Sequence, residues 1–116
     1  MAVSVAIPVP STDPEYNQRA LKPYLDALSA SGMTPFVVAL DQPQDQVARQ
    51  LVHTQAALLP GSRFDIDPQR YGETPIPECG EADPARTAVD ELLLQDAFNL
   101  HKPVLAICHG TQSLNV

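Results

Sequence analysis

Basic residues are scarce. Seven Lys and Arg stand against 14 Asp and Glu among 116 residues, a formal net charge of −7. Sequence-independent nucleic-acid binding needs cations facing phosphates, so no nucleic-acid partner is expected. Cysteine is scarce too. Cys79 and Cys108 are too few for a disulfide framework and sit in unlike contexts, which fits a reducing, cytoplasmic location. No run of 18 apolar residues occurs, so no membrane-spanning segment is expected. The N-terminal stretch has no basic region ahead of its apolar residues, which argues against a signal peptide. Internal repeats and low-complexity tracts are also lacking. What remains is an ordinary share of apolar residues, 44%, in a length that allows at most one domain. Apolar residues continue to Val116 without a helix stop signal, so an element is expected to continue beyond it.

Short apolar runs alternate with helical periodicity. Val3 to Val9, Thr34 to Leu40, Gln55 to Pro60 and Pro103 to Ile107 read as apolar strands, although Ala56-Ala57-Leu58-Leu59 alone is equally compatible with helix. Asp13-Pro14-Glu15 supplies an N-cap, a first-position proline and a first-turn acid. The helix it opens carries Tyr16, Ala20, Tyr24, Leu25 and Leu28 at helical spacing and stops at Gly32, while Pro23 is expected to kink or split it. Asp41 to Val52 reads as a surface helix. Asp83-Pro84 opens another, from Ala85 to Leu100, with Val89, Leu92, Leu93, Ala97 and Leu100 as its apolar face. Between them, Gly61 to Asp83 is irregular and longer than connections in small domains usually are. The pattern predicts an α/β fold, a parallel sheet with helices on both faces, with ligands beyond the carboxyl ends of the strands. Pro60-Gly61-Ser62 and Cys108-His109-Gly110 both follow strands and therefore share that rim.

Cys108 carries the sharpest chemical signal. Ala106-Ile107-Cys108-His109-Gly110 has the form small-x-nucleophile-x-small between a strand and a helix, a nucleophile elbow. The sulfur would face the first N–H groups of the new helix, which favour a thiolate and can hold an oxyanion. A buried structural cysteine at a strand end is the competing reading. Gly61-Ser62 would let a second backbone N–H approach a substrate carbonyl. Asp65-Ile66-Asp67-Pro68 begins like a carboxylate metal loop but lacks the further oxygen ligands, so no metal is expected. Tyr71, Gly72 and Glu73 read as loop packing or substrate contacts. His53 and His101 precede strands, at the opposite rim. His109 adjoins Cys108 but need not be its base, because neighbours at an elbow diverge. A cysteine nucleophile needs a base held by a third group, and no other His is suitably placed.

From Leu58 to Val116 the chain resembles the class I glutamine amidotransferase-like superfamily, and within it the gamma-glutamyl hydrolase peptidase family, which includes gamma-glutamyl-gamma-aminobutyrate hydrolases. The residues that carry the resemblance are Leu59-Pro60-Gly61-Ser62, Asp65-Ile66-Asp67-Pro68, Tyr71-Gly72-Glu73, the helix opening with Arg86, Thr87 and Asp90, and Lys102 to Val116. In the family the first run is Leu-Pro-Gly-Gly, the helix opens Arg-Asp-x-x-Glu, and the last stretch reads Gly-Ile-Cys-Arg-Gly. Here Ser62, Thr87, Ala106 and His109 depart from that pattern. Ser62 and His109 are the departures that could shift substrate preference. The resemblance implies a flavodoxin-like parallel sheet and a Cys108 nucleophile that attacks a gamma-glutamyl amide. It further implies an oxyanion hole from the N–H groups of Ser62, or its neighbour Gly61, and of His109, and a contact from Gln112 to the glutamyl end of the substrate. Asp65, Asp67 and Tyr71 are candidate loop contacts.

The family's His-Pro-Glu motif and further strands lie far downstream of the cysteine. Residues 1–116 are therefore expected to form the N-terminal part of one such domain, ending just after the elbow. Expected partners are a small gamma-glutamyl or glutamine-like substrate and a second chain, or a C-terminal half, that supplies the catalytic His and Glu. Homo-oligomerisation is left open, and neither a cofactor nor a membrane is implied. Two other readings compete. Ala106 to Gly110 also resembles the elbow of the heat-shock intracellular protease and deglycase family, in which the His next to the Cys takes part in catalysis. A non-catalytic binding module is the third reading.

Overall fold

The structure, a computed structural model, describes residues 3–62, 83–110 and Leu114. Four strands run parallel: β1 (Ser4–Pro8), β2 (Thr34–Val38), β3 (Ala56–Leu59) and β4 (Val104–Ala106). Their order across the sheet is β2-β1-β3-β4. β1 aligns Ala6 with Phe36 on one side and with Ala57 on the other, and β3 aligns Leu58 with Leu105. Three helices connect them: α1 (Pro14–Ala30), α2 (Gln44–Leu51) and α3 (Pro84–Leu100). The chain turns outward from β1 to β2 and then crosses back to β3. This leaves the β1/β3 seam as the switch point, where such sheets place their ligands.

Alternation along each strand divides the core in two. Val5, Ile7 and Leu58 face α1 with Leu28, while Ala6, Val38, Ala57 and Leu59 pack with Val47 and Leu51 of α2 and Val89 and Leu93 of α3. Each face therefore has its own apolar layer, which is why the strand sequences read as continuous apolar runs. All four expected strands form; three are trimmed by one residue at each end and β2 by two at its C-terminal end only, as strand termini lose their ladder partners first.

The helix starts follow their caps. The Asp13 carboxylate accepts from the N–H groups of Glu15 and Tyr16, and that of Asp83 from Arg86 N–H. Gly32 takes φ +78° just after the last turn of α1, the left-handed position that favours glycine. Two expectations need correction. The first is that Pro23 would split its helix: α1 runs unbroken through it. Pro23 is exposed, so the Arg19 carbonyl it leaves without an intrahelical donor lies on the solvent side and water can satisfy it. The second is the face of α3. Val89, Leu93 and Ala97 are buried as expected, but Leu100 is 59% exposed and Arg86, Thr87 and Asp90 are buried instead.

Leu93 is 1% exposed at the centre of the α3 contact. Leu93→Ala is expected to lower the unfolding free energy by about 2–5 kcal/mol. Asp13→Ala, which removes only a cap, is expected to cost about 1 kcal/mol. Urea denaturation of the two variants checks both size and order.

Candidate active site

After β4 the backbone passes through Ile107 into Cys108, whose φ is +49°, and becomes helical at His109 and Gly110. A side-chain-bearing residue in the left-handed region is strained and persists only where its surroundings hold it. Here they do. Ile107 N–H donates to the Leu59 carbonyl at 2.9 Å, and Gly110 N–H closes the turn on the Ile107 carbonyl at 2.9 Å. Gly110 is pressed against β3, so that a Cβ there would collide with the Leu59 carbonyl and Cβ. The glycine two places after Cys108 is thus required by contact with the neighbouring strand. The Cys108 thiol is exposed and outside any disulfide.

Gly61 lies against this elbow. A Cβ built on it would sit 3.6 Å from the Cys108 Cβ and 3.3 Å from the Tyr24 hydroxyl. The ends of β3 and β4 therefore bring Gly61 and Cys108 together, with half-buried Ser62 next along the chain. Gly61 N–H donates to Tyr24 Oη at 3.0 Å. Tyr24 was recognisable in sequence only as one apolar position on α1, and its hydroxyl's reach to the strand end has no local signature.

His109 turns the other way. It is 2% exposed, and its Nδ1 lies 3.7 Å from Asp90 Oδ2. Asp90 Oδ1 accepts from Arg86 Nε at 2.7 Å, both side chains being fully buried. The same guanidinium donates through Nη1 to the Pro10 carbonyl at 2.9 Å and through Nη2 to the Pro60 carbonyl at 2.6 Å. Asp83 adds a second link, its Oδ2 accepting from Thr12 N–H at 2.9 Å. A His109 side chain directed at α3 is poorly placed to serve an exposed thiol, as the deglycase-like reading would need. His53 and His101 are exposed, at the rim away from Cys108. Gln112, Asp65, Asp67, Tyr71 and Cys79 lie outside the described residues.

The arrangement places an exposed cysteine on a strained turn beside the backbone that follows β3. It also makes Gly110 critical. Gly110→Ala is expected to displace the elbow from β3 and cost on the order of 1–3 kcal/mol by overpacking, with a lowered melting temperature and a changed rate of Cys108 alkylation. Tyr24→Phe, which deletes only one acceptor, is expected to cost about 1 kcal/mol.

Known proteins resemble this chain over much of its length. The family profile of peptidase C26 matches residues 5–116. A glutamine amidotransferase-like protein of Lactococcus lactis subsp. cremoris, a YvdE homolog, is 30% identical over 93 residues, covering 80% of this chain and 48% of its own length. Gamma-glutamyl-gamma-aminobutyrate hydrolase PuuD of Escherichia coli is 30% identical over 94 residues, covering 80% of this chain and 36% of its own. The Mycobacterium tuberculosis protein Rv2859c is 43% identical over 60 residues, or 52% of this chain and 20% of its own. The chain thus spans about half or less of the length of these relatives. With a match over nearly its whole length and an elbow built on a parallel sheet, the chain belongs to the peptidase C26 family.

Proposed function

We propose that the protein acts as a cysteine-dependent hydrolase of gamma-glutamyl or glutamine amide bonds, through a gamma-glutamyl thioester. The observation that carries this reading is the exposed Cys108 at φ +49°, with the Gly61 backbone beside it. Cys108 Sγ attacks the amide carbonyl carbon, and the C=O electrons move onto oxygen. Backbone N–H groups of His109 and of Ser62 or Gly61 stabilise that oxyanion. Because the Gly61 N–H already donates to Tyr24, its use would require that bond to open, which favours Ser62. Collapse of the tetrahedral adduct expels the amine, which takes a proton from a histidine. Water then attacks the thioester, the same histidine accepts its proton, and the thiolate leaves. A glutamate orients that histidine, and both come from outside residues 1–116. In this reading Gln112 contacts the glutamyl end, and Asp65, Asp67 and Tyr71 border the substrate.

The same proposal makes residues 1–116 the N-terminal part of one amidotransferase-like domain that works in the cytoplasm. A groove of about 440 Å³ supports it, lined by Tyr24, Leu28, Ala57, Leu58, Leu105 and Ile107. Leu105 is 58% exposed on β4, the last strand of the sheet among the described residues. An apolar strand left at an edge is a liability unless something covers it. The remainder of the domain, from the same or a second polypeptide, is the proposed cover. No helix among the described residues is long and apolar enough to cross a membrane.

Native mass spectrometry of the protein isolated from its own cells is expected to show the chain continuous with, or bound to, a segment bearing a His-Glu pair. That assembly is expected to hydrolyse gamma-glutamyl p-nitroanilide and to be labelled at Cys108 by a diazoketone analogue of glutamine. Cys108→Ala is expected to abolish both, a loss of roughly a thousandfold or more. Turnover of glyoxal adducts with none of gamma-glutamyl compounds would overturn the proposal, as would labelling of other thiols with Cys108 untouched.

A further inference from the structure

The side chains of the buried polar cluster under the elbow have no place in the chemistry above, yet they meet the segments that follow β3 and β4. Arg86, Asp90 and His109 come from two distant parts of the chain and are 0%, 0% and 2% exposed. Burying such groups is costly unless each is held in good geometry. Their contacts show what that burial accomplishes. Arg86 grips Pro60 O, the carbonyl immediately before Gly61, at 2.6 Å. Through Asp90 it reaches the imidazole of His109, whose backbone follows the nucleophile. The two N–H groups that would face an oxyanion belong to separate loops, one after β3 and one after β4. One loop is bonded to the guanidinium, and the other lies against the carboxylate that the guanidinium holds, His109 Nδ1 being 3.7 Å from Asp90 Oδ2.

The geometry points to Asp90 and His109 as positioning residues: a buried clamp, anchored on Arg86, that keeps the Cys108 elbow in its left-handed conformation and sets its spacing from the Gly61-Ser62 turn. The Gly110 contact holds the elbow against β3 from one side, and the His109 side chain holds it from beneath. Without the second hold, the strained Cys108 would relax toward negative φ and carry the His109 N–H out of register. The catalytic part of this inference rests on the proposed function; the structural part does not.

Asp90→Asn, His109→Gln and the double variant, made in the intact assembly, separate the possibilities. Asparagine keeps the shape of the carboxylate and removes its charge, and glutamine keeps a polar side chain of similar reach. Two rates are read well below each variant's melting temperature: alkylation of Cys108 by iodoacetamide, and turnover of gamma-glutamyl p-nitroanilide. If the clamp exists, each single variant changes the alkylation rate by about fivefold or more, and the double variant changes it no further than either single, as coupled residues do. Each also lowers kcat by about tenfold or more with KM nearly unchanged, as expected when a transition-state contact is misplaced. Lowered melting temperatures with wild-type alkylation rates, or single effects that multiply in the double variant, would overturn the clamp. Alkylation that follows the clamp pattern in an assembly that turns over no gamma-glutamyl compound would overturn the proposed function and leave the clamp standing.

Discussion

The carboxyl rim of this sheet is organised around the place where one guanidinium sits. Arg86 enters from the first turn of α3 and donates to three oxygens in three segments: Pro10 after β1, Pro60 after β3 and Asp90 one turn along its own helix. Carbonyls at strand ends have lost their ladder partners and would otherwise need water. A planar group with divergent donors satisfies two of them at once. The Arg86–Asp90 ion pair is no bonus to stability, since an apolar filling could serve as well. Its value lies in direction, because it fixes where two loops leave the sheet. The pairs Lys22–Asp26 and Arg49–Asp45 show the contrast: their side chains are well over half exposed, and such pairs contribute little.

The site is consequently made of backbone more than side chain. In the proposed reaction the strained Cys108 attacks, and the turns on either side of it are placed by strand pairing and by the glycine contact at position 110. This suits a reaction in which negative charge develops on one oxygen in a fixed place, because dipoles locked by the fold need not reorganise as the charge appears.

Much of this was legible in the sequence. Asp13 and Asp83 announce their helices because a cap is a local event, decided within a few residues. The parallel sheet is legible because strands buried on both faces carry apolar residues at every position. The elbow is legible because its pattern is short and contiguous, although the contact that demands Gly110 comes from Leu59 of β3. The buried cluster was not. Asp45 with Arg49 and Arg86 with Asp90 are both opposite charges four apart on a helix, yet the first pair is solvated and the second has no exposure at all. Spacing says which side chains can meet and is silent about what lies over them. Tyr24 and His109 were obscured for the same reason: the partners that define them, Gly61 and Asp90, are 37 and 19 positions away. Leu100 shows the reverse error, an apolar residue at correct helical spacing on a final turn that extends past the core.

The pinning of the rim has a consequence for how such a protein can change over generations. Residue 62 leaves the sheet just after the carbonyl held by Arg86, and Asp83 rejoins it bonded to Thr12, beside the other carbonyl that Arg86 holds. The two ends of the intervening stretch are therefore anchored by groups that do not depend on its length or composition. Closing a longer loop between fixed ends costs only about 0.6 kcal/mol for each doubling. Insertions and deletions between residues 62 and 83 are thus expected to be close to neutral for the anchoring of the rim. The buried arginine makes this stretch a replaceable part, so that its sequence can drift without the frame around it having to be rebuilt.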